Sequence, residues 1–350
     1  MVRSEAGIGA SRTVRGAMAA VGLVLAATAS ACGGGSSATS TAPALIAIDG
    51  SSTVFPVSEA VAEEFQKKNP AVRITVGTSG TTGGFQKFCR GETVISDASR
   101  PIGASEIEAC GKAGITYIEL PVAYDGLTVV VNPKNTWATS MTVAELKKLW
   151  APEAQGKITR WNQIRTGWPD KEIHLFGAGS DSGTFDYFTE VIAGKARSSR
   201  GDYTSSEDDN ILVQGVSGDE YALGYMGLAY YEHNKDKVKV VAIDDEKADN
   251  GAGPIAPGFE TVRSGTYRPL SRPLFIYVST AALNRPEVAE FVQFYVNAET
   301  SLIREIGFVP LTDTELQLVR TRLQNKTAGT MFSGAVESHT TLESRLKGQQ

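Results

Sequence analysis

The chain has 350 residues, of which 41% are hydrophobic and 21% charged, and its net charge is −5. That length suits two medium domains with full cores, and the composition is that of an ordinary soluble globular protein. The acidic balance excludes a nucleic-acid footprint and offers no long-range attraction to anions. An anion site would have to rest on local dipoles and hydrogen bonds.

The chain opens with Arg3, Arg12 and Arg15 ahead of "GAMAAVGLVLAATASAC". A basic region, an apolar run and a small-residue cleavage site predict a secretory signal over residues 1–31. The run is too short for a membrane-spanning helix. "ASAC" resembles a bacterial lipobox, with Ala29 where leucine is usual. On that reading Cys32 is the lipidated first residue. The mature chain then carries −7, because three arginines and Glu5 leave with the signal. Residues 32–44 are rich in Gly, Ser and Thr and predict a flexible tether. With Cys32 assigned to lipid, Cys89 and Cys110 remain as an even pair in an exported chain. They predict a disulfide, the alternative being two buried free thiols.

The body begins with a short strand, "ALIAI", then a turn and a helix from Val57 towards Pro70, with acids early and lysines late. "AVRITVGTSG" is a strand, "GGFQKFCRG" a short helix, and "TVISDASRPI" a strand ending in a polar loop. This βαβ alternation predicts an α/β fold with a largely parallel sheet. "ITYIELPVAYDGLTVVVNP" reads as two β-rich runs joined through "PVAYDG", the second of them central. "TVAELKKLWAPE" is an amphipathic helix opened by Thr142, and "ITRWNQI" a connector. "EIHLFGAGSDSGTFDYFTEVIAG" is strand, glycine turn and helix. A helix and a strand follow within residues 207–234, then strands "KVKVVAI" and "RPLFIYVS". Helices "PEVAEFVQFYVN" and "LTDTELQLVRTRLQNKT" close the body, and the last twenty residues are expected to fray.

One arrangement recurs three times: a strand ends, a Gly/Ser/Thr cluster follows, and a helix begins. The copies are "GSSTVFP" (50–56), "GTSGTTGG" (77–84) and "GSDSGTF" (179–185). In open α/β sheets, ligands sit beyond the carboxyl ends of the strands. A helix N-terminus there offers unpaired N–H groups and partial positive charge, glycines let backbone approach, and hydroxyls add donors. One copy is an ordinary helix cap; three in matching contexts point to an oxyanion. No GxSxG elbow surrounds Ser180 or Ser182, and no GxxxxGK[ST] loop occurs. Histidines are few and scattered, at His174, His233 and His339, which weighs against a metal site or a Ser–His relay. No cofactor and no metal are expected.

The clusters, with "ISDASRPI", "VAYDGLTVVVN", "LFGAGSDSGTFDYF" and "LVQGVSGDEYALGYMG", resemble the phosphate-binding proteins of the bacterial high-affinity phosphate ABC importer. The resemblance spans roughly residues 44–327. It implies a type II periplasmic-binding-protein fold: two α/β domains, a ligand cleft and two crossover strands. Domain I would be 45–124 plus 271–327, domain II 125–270, and 328–350 a frayed tail. The crossovers would fall near Ala123–Asp125 and Arg268–Pro273. The implied protein is a monomer that catalyses nothing. It would capture inorganic phosphate and deliver it to an ABC permease and its ATPase, held at the membrane by lipid. A binder or sensor of another oxyanion is the alternative, and a serine-dependent phosphatase or esterase a more distant one.

The resemblance also implies site residues. Thr53, Val54 and Phe55 would meet the anion, the last two through backbone N–H, with Ser52 beside them. Thr81 supplies the hydroxyl of the second cluster, and Ser99 and Arg100 follow "DA". Ser182, Gly183 and Thr184 form the third group, with Ser180 nearby. Two departures stand out. Many family members carry an Arg shortly before "SGT", where this chain has Ala178, and many carry an Asp after "AS", where it has Arg100. The cation is therefore expected at Arg100, unless that residue is only a surface salt bridge. The proton of monohydrogen phosphate needs an acceptor that would repel sulfate. Asp181 is the first candidate, with Asp97 and Asp125 behind it. Tyr124 is expected to help shape the cleft, and Tyr221 and Tyr225 to sit in the core.

Overall fold

The computed structural model describes residues 44–180, 182–298, 300–332 and 341–348. The signal, Cys32, the tether up to residue 43 and Asp181 lie outside them. All that follows belongs to the compact unit Pro43–Gln350. Its first half runs β1 (Ala44–Gly50), α1 (Phe55–Lys68), β2 (Val72–Thr78), α2 (Gly80–Cys89), β3 (Ile95–Ala98), α3 (Ala104–Lys112) and the long β4 (Tyr117–Val131). Then come β5 (Ser140–Thr142), α4 (Val143–Trp150), α5 (Trp161–Ile164), β6 (His174–Ala178), α6 (Gly183–Ala193), β7 (Thr204–Ser206) and α7 (Asp209–Gly218). β8 (Ala222–Gly227), α8 (Leu228–Asn234), β9 (Lys239–Asp244), α9 (Phe259–Arg263) and β10 (Ser271–Ser279) follow. Helices α10 (Pro286–Tyr295), α11 (Thr300–Glu305), α12 (Asp313–Gln324) and α13 (Leu342–Lys347) complete the chain.

The strands lie in the order β2-β1-β3-β10-β4-β8-β6-β7, with β9 beside β4 and β5 beside β9. β1 is parallel to β2 and β3, and β6 is parallel to β7 and β8. β10 is antiparallel to β3 and β4, and β4 is antiparallel to β8 and β9. The sheet is therefore mixed rather than largely parallel, because its two middle strands each run against their neighbours. The expectation of two runs joined through "PVAYDG" also gives way: β4 is one strand of 15 residues, buried along its whole length. Pro121 is tolerated because the register against β10 slips between Leu274 and Phe275, next to the residue that lacks an N–H. β4 pairs with β10 up to Gly126 and with β8 from Leu127 onward.

Helices cover both parts of the sheet. Val57, Val61 and Phe65 of α1 and Phe85 and Phe88 of α2 are buried. In the other part, Phe188 of α6 stacks on Tyr225 with centroids 3.8 Å apart, and Trp150 meets Tyr225 edge-on. Tyr225 is thus a core residue, as expected. Helix α3 escaped the sequence reading; Cys110 is its one buried residue. Cys89 and Cys110 form a disulfide that ties it to the end of α2. The tail is not frayed throughout. Leu342 and Leu346 of α13 are buried, and Gly329 N donates to Tyr117 O. The reason is the fully buried Glu119, whose carboxylate accepts from Thr330 Oγ1 and Met331 N, both at 2.7 Å.

Candidate functional site

Register assembles the first wall of the site. Gly50 pairs with Thr78 on one side and Asp97 on the other, so β1, β2 and β3 end together and their loops emerge side by side. Glycine is required for this closeness. A Cβ on Gly50 would lie 2.1 Å from the Asp97 carbonyl oxygen, and one on Gly84 would lie 2.5 Å from Gly50 Cα. Helix α2 therefore sits flush on the end of β1.

A cavity of about 470 Å³ opens between these loops and helix α6. The loop after β1 contributes Ser51, Ser52 and Thr53, the start of α2 contributes Ser79 to Gly83, and the loop after β3 contributes Ser99 and Arg100. Helix α6 faces them with Asp186, Tyr187 and Glu190, and Arg272 also lines the cavity. Ser79 occupies the N-cap of α2 without capping it: its hydroxyl donates to Asp49 instead. Lys87 holds the other oxygen of Asp49 at 2.6 Å. The first turn of α2 thus reaches the cavity with no side chain on its amides and with the positive end of its dipole forward. The Thr81 and Ser99 hydroxyls stand 3.1 Å apart beside it, and Ser99 N donates to Thr81 Oγ1.

Several expected ligands are placed differently. The amides of Val54 and Phe55 both donate to Ser51 O, at 3.2 and 3.0 Å, and so close the first turn of α1. Ser182 is the N-cap of α6, where its hydroxyl accepts from Thr184 N at 3.1 Å. Gly183 lies against the Thr53 loop: a Cβ there would be 2.8 Å from Thr53 Cα. Ser180 O accepts from Arg197 Nη2 at 3.1 Å.

The charged candidates are also redistributed. Arg100 stands on the wall, but Glu106 takes its guanidinium at 2.7 and 2.9 Å, and Thr82 Oγ1 and Pro101 O accept from it as well. Asp97 is buried beneath the loops, not in the cavity. Its Oδ1 accepts from Ser58 Oγ at 2.9 Å, and burial pushes its carboxyl up to about 8. Asp125 lies buried beside Arg272 Nε, 3.3 Å away, and burial raises its carboxyl against the pull of that arginine. The Tyr124 hydroxyl donates to Glu315, and the residue borders a neighbouring cavity of about 600 Å³ rather than this one.

Other residues of the cavity were not singled out from sequence. Asp186 Oδ2 accepts from Ser52 Oγ at 3.2 Å across the cavity, while Oδ1 accepts from Arg197 Nε at 2.9 Å. Asp186 and Glu190 are four apart on α6 and so share a face, a spacing visible in "DYFTE" once the helix is drawn. Arg272, in "SRPLF", carries no local signal. Together the wall offers hydroxyls, helix-end amides and a guanidinium, and the opposite face offers carboxylates. That set can hold a tetrahedral anion that carries a proton: donors would meet the charged oxygens and an acceptor the hydroxyl.

Residues 36–299 match a family described as a PBP superfamily domain. The chain is 49% identical over 306 residues to a protein named SphX from Synechococcus elongatus, covering 87% of this chain and 89% of that one. It is 37% identical over 285 residues to the phosphate-binding protein PstS of Staphylococcus saprophyticus, covering 80% and 85% respectively. It also resembles the crystal structure of a possible phosphate binding protein from Planctomyces limnophilus, with a TM-score of 0.77 and 52% identity, covering 80% of this chain and 98% of that one.

Proposed function

The chain belongs to the PBP superfamily and, within it, to the PstS-type phosphate-binding proteins, and on that premise we propose that inorganic phosphate is captured in the cavity between the α2 N-terminus and α6. The observation that carries this reading is the uncapped first turn of α2, which reaches the cavity beside the Thr81 and Ser99 hydroxyls. Helix-end amides and hydroxyls are a phosphate seat that needs no basic surface, consistent with the acidic chain. Asp186, on the opposite face, takes the place first given to Asp181 as acceptor of the phosphate proton. Sulfate, having no proton, would leave that carboxylate facing an unprotonated oxygen.

Residues 45–124 with 271–327 form one domain and 125–270 the other, so the two faces of the cavity come from different domains and close on the anion. The protein is exported and acts as a monomer. It is anchored through Cys32, catalyses no reaction and hands phosphate to an ABC permease with its ATPase. The cavity serines Ser52 and Ser79 donate to the carboxylates of Asp186 and Asp49, and no histidine among the described residues lines the cavity, so a Ser–His relay has no base there.

Calorimetric titration of the chain from residue 33, stripped of anion, tests the reading. One-to-one binding of phosphate with no heat from sulfate is expected, and Asp186→Asn should narrow that preference by about tenfold or more. A chain that gives no heat with phosphate overturns the proposal. An Asp186→Asn variant as selective as the parent overturns the acceptor.

A further inference from the structure

We propose that Arg272 is the cation of the anion site. This rests on the phosphate reading above and assigns the charge within it. Arg272 is the second residue of β10, outside all three Gly/Ser/Thr clusters, and its side chain is 13% exposed where it lines the cavity. Its guanidinium meets four groups from three parts of the chain: β4, the Thr53 loop and α6. Nε donates to Asp125 of β4 at 3.3 Å, and Nη2 donates to Thr53 Oγ1 at 3.0 Å. The guanidinium carbon lies 3.4 Å from the centre of the Tyr187 ring, and Glu190 Oε2 stands 3.9 Å from Nη1. The ring is itself fixed, because Tyr187 Oη donates to Pro269 O at 2.7 Å.

Two other arginines near the cavity are differently employed, and Lys87 is held by Asp49. Arg100 is matched by Glu106 in a two-pronged pair and gives further hydrogens to Thr82 and Pro101. Arg197 is 62% exposed and is held by Asp186 and Ser180 O. A guanidinium has five N–H donors, and Arg272 spends one on Asp125 and one on Thr53. Asp125 holds it through Nε while Nη1 and Nη2 keep donors for an anion. Glu190 is 54% exposed, so water screens its competing charge. A buried, pre-positioned guanidinium is the group that grips two phosphate oxygens at once. It touches Thr53 of one face and Tyr187 of the other, so the anion would gain this contact only where both faces meet.

The test is phosphate titration of the parent chain, Arg272→Lys, and the double variant Arg272→Gln with Asp125→Asn. The double variant removes both charges together, so no buried carboxylate is stranded. With a circular-dichroism spectrum matching the parent, it should bind phosphate about tenfold to a hundredfold more weakly, and its affinity should fall less steeply with added salt. Arg272→Lys keeps the charge but loses the fork, and should fall between the two. A folded double variant that binds within threefold of the parent overturns the assignment and leaves the phosphate reading standing. Should the double variant fail to fold, the lysine variant decides, and parent-like affinity there overturns the assignment. A parent chain indifferent to phosphate overturns the functional reading, and Arg272 with it.

Discussion

Asp97 makes the stability of this protein depend on pH in a direction opposite to that of a salt-bridged carboxylate. Its side chain is fully buried at the end of β3. Burial is the largest influence on it; the hydrogen bond from Ser58 opposes burial, and nearby Asp49 adds to it, leaving the carboxyl at about 8 against an ordinary 3.8. Between those values the folded chain keeps a proton that the unfolded chain has lost. Its stabilising contribution is therefore complete below about pH 4 and is lost as pH rises towards 8. At about 1.4 kcal/mol per pH unit, the interval from pH 5 to pH 8 removes about 4 kcal/mol, a large share of a typical 5–15 kcal/mol. Asp97→Asn keeps an acceptor for Ser58 and abolishes the titration. Urea unfolding of parent and variant at pH 5, 6, 7 and 8 measures the effect, and the difference between them cancels groups such as Asp209, which burial pushes up to about 6. The variant should gain on the parent steadily with pH. A difference that stays flat, or runs the other way, refutes the reasoning.

Gly183→Ala should separate binding from folding. Its Cβ would lie 2.8 Å from Thr53 Cα and 2.9 Å from Thr53 Oγ1, pushing the mouth of α6 back from that loop. Alanine suits the first turn of a helix, so the melting temperature should hold while phosphate affinity drops about tenfold; an unchanged affinity by calorimetry would show that the close approach is incidental. Replacing Cys89 and Cys110 by serine opens a crosslink with a sequence separation of 21. That should cost about 3 kcal/mol of stability, measured by denaturant unfolding, and parent and variant should become equal under strong reductant. Equal stability under oxidising conditions would mean the bridge does not constrain the unfolded chain.

The three helix mouths were legible in the sequence because their chemistry is local: a glycine where backbones touch, hydroxyls beside it, and a helix directly after. Gly50 and Gly84 stand where a side chain would strike Asp97 and Gly50 themselves. The cysteine pair was legible by elimination. The α/β class followed from alternation along the chain, but the antiparallel middle of the sheet did not, because the partners of β4 and β10 lie far away in sequence. Pro121 and "YDG" look like a break in a strand until β10 and β8 are seen to hold the two ends of one.

The assignment of charge was decided only by tertiary structure. Arg100 has the better local context, yet Glu106 of α3, a helix the sequence reading passed over, occupies it. Arg272 sits in an unremarked strand start, yet β4, α6 and the Thr53 loop converge on it. Likewise the amides of Val54 and Phe55 turn inward to Ser51, while Asp186 and Glu190 reach the cavity from a helix over a hundred residues away. Backbone chemistry is written within a few residues and can be read there. The location of a free charge depends on which opposite charge lies nearest in space, and only the folded chain determines that.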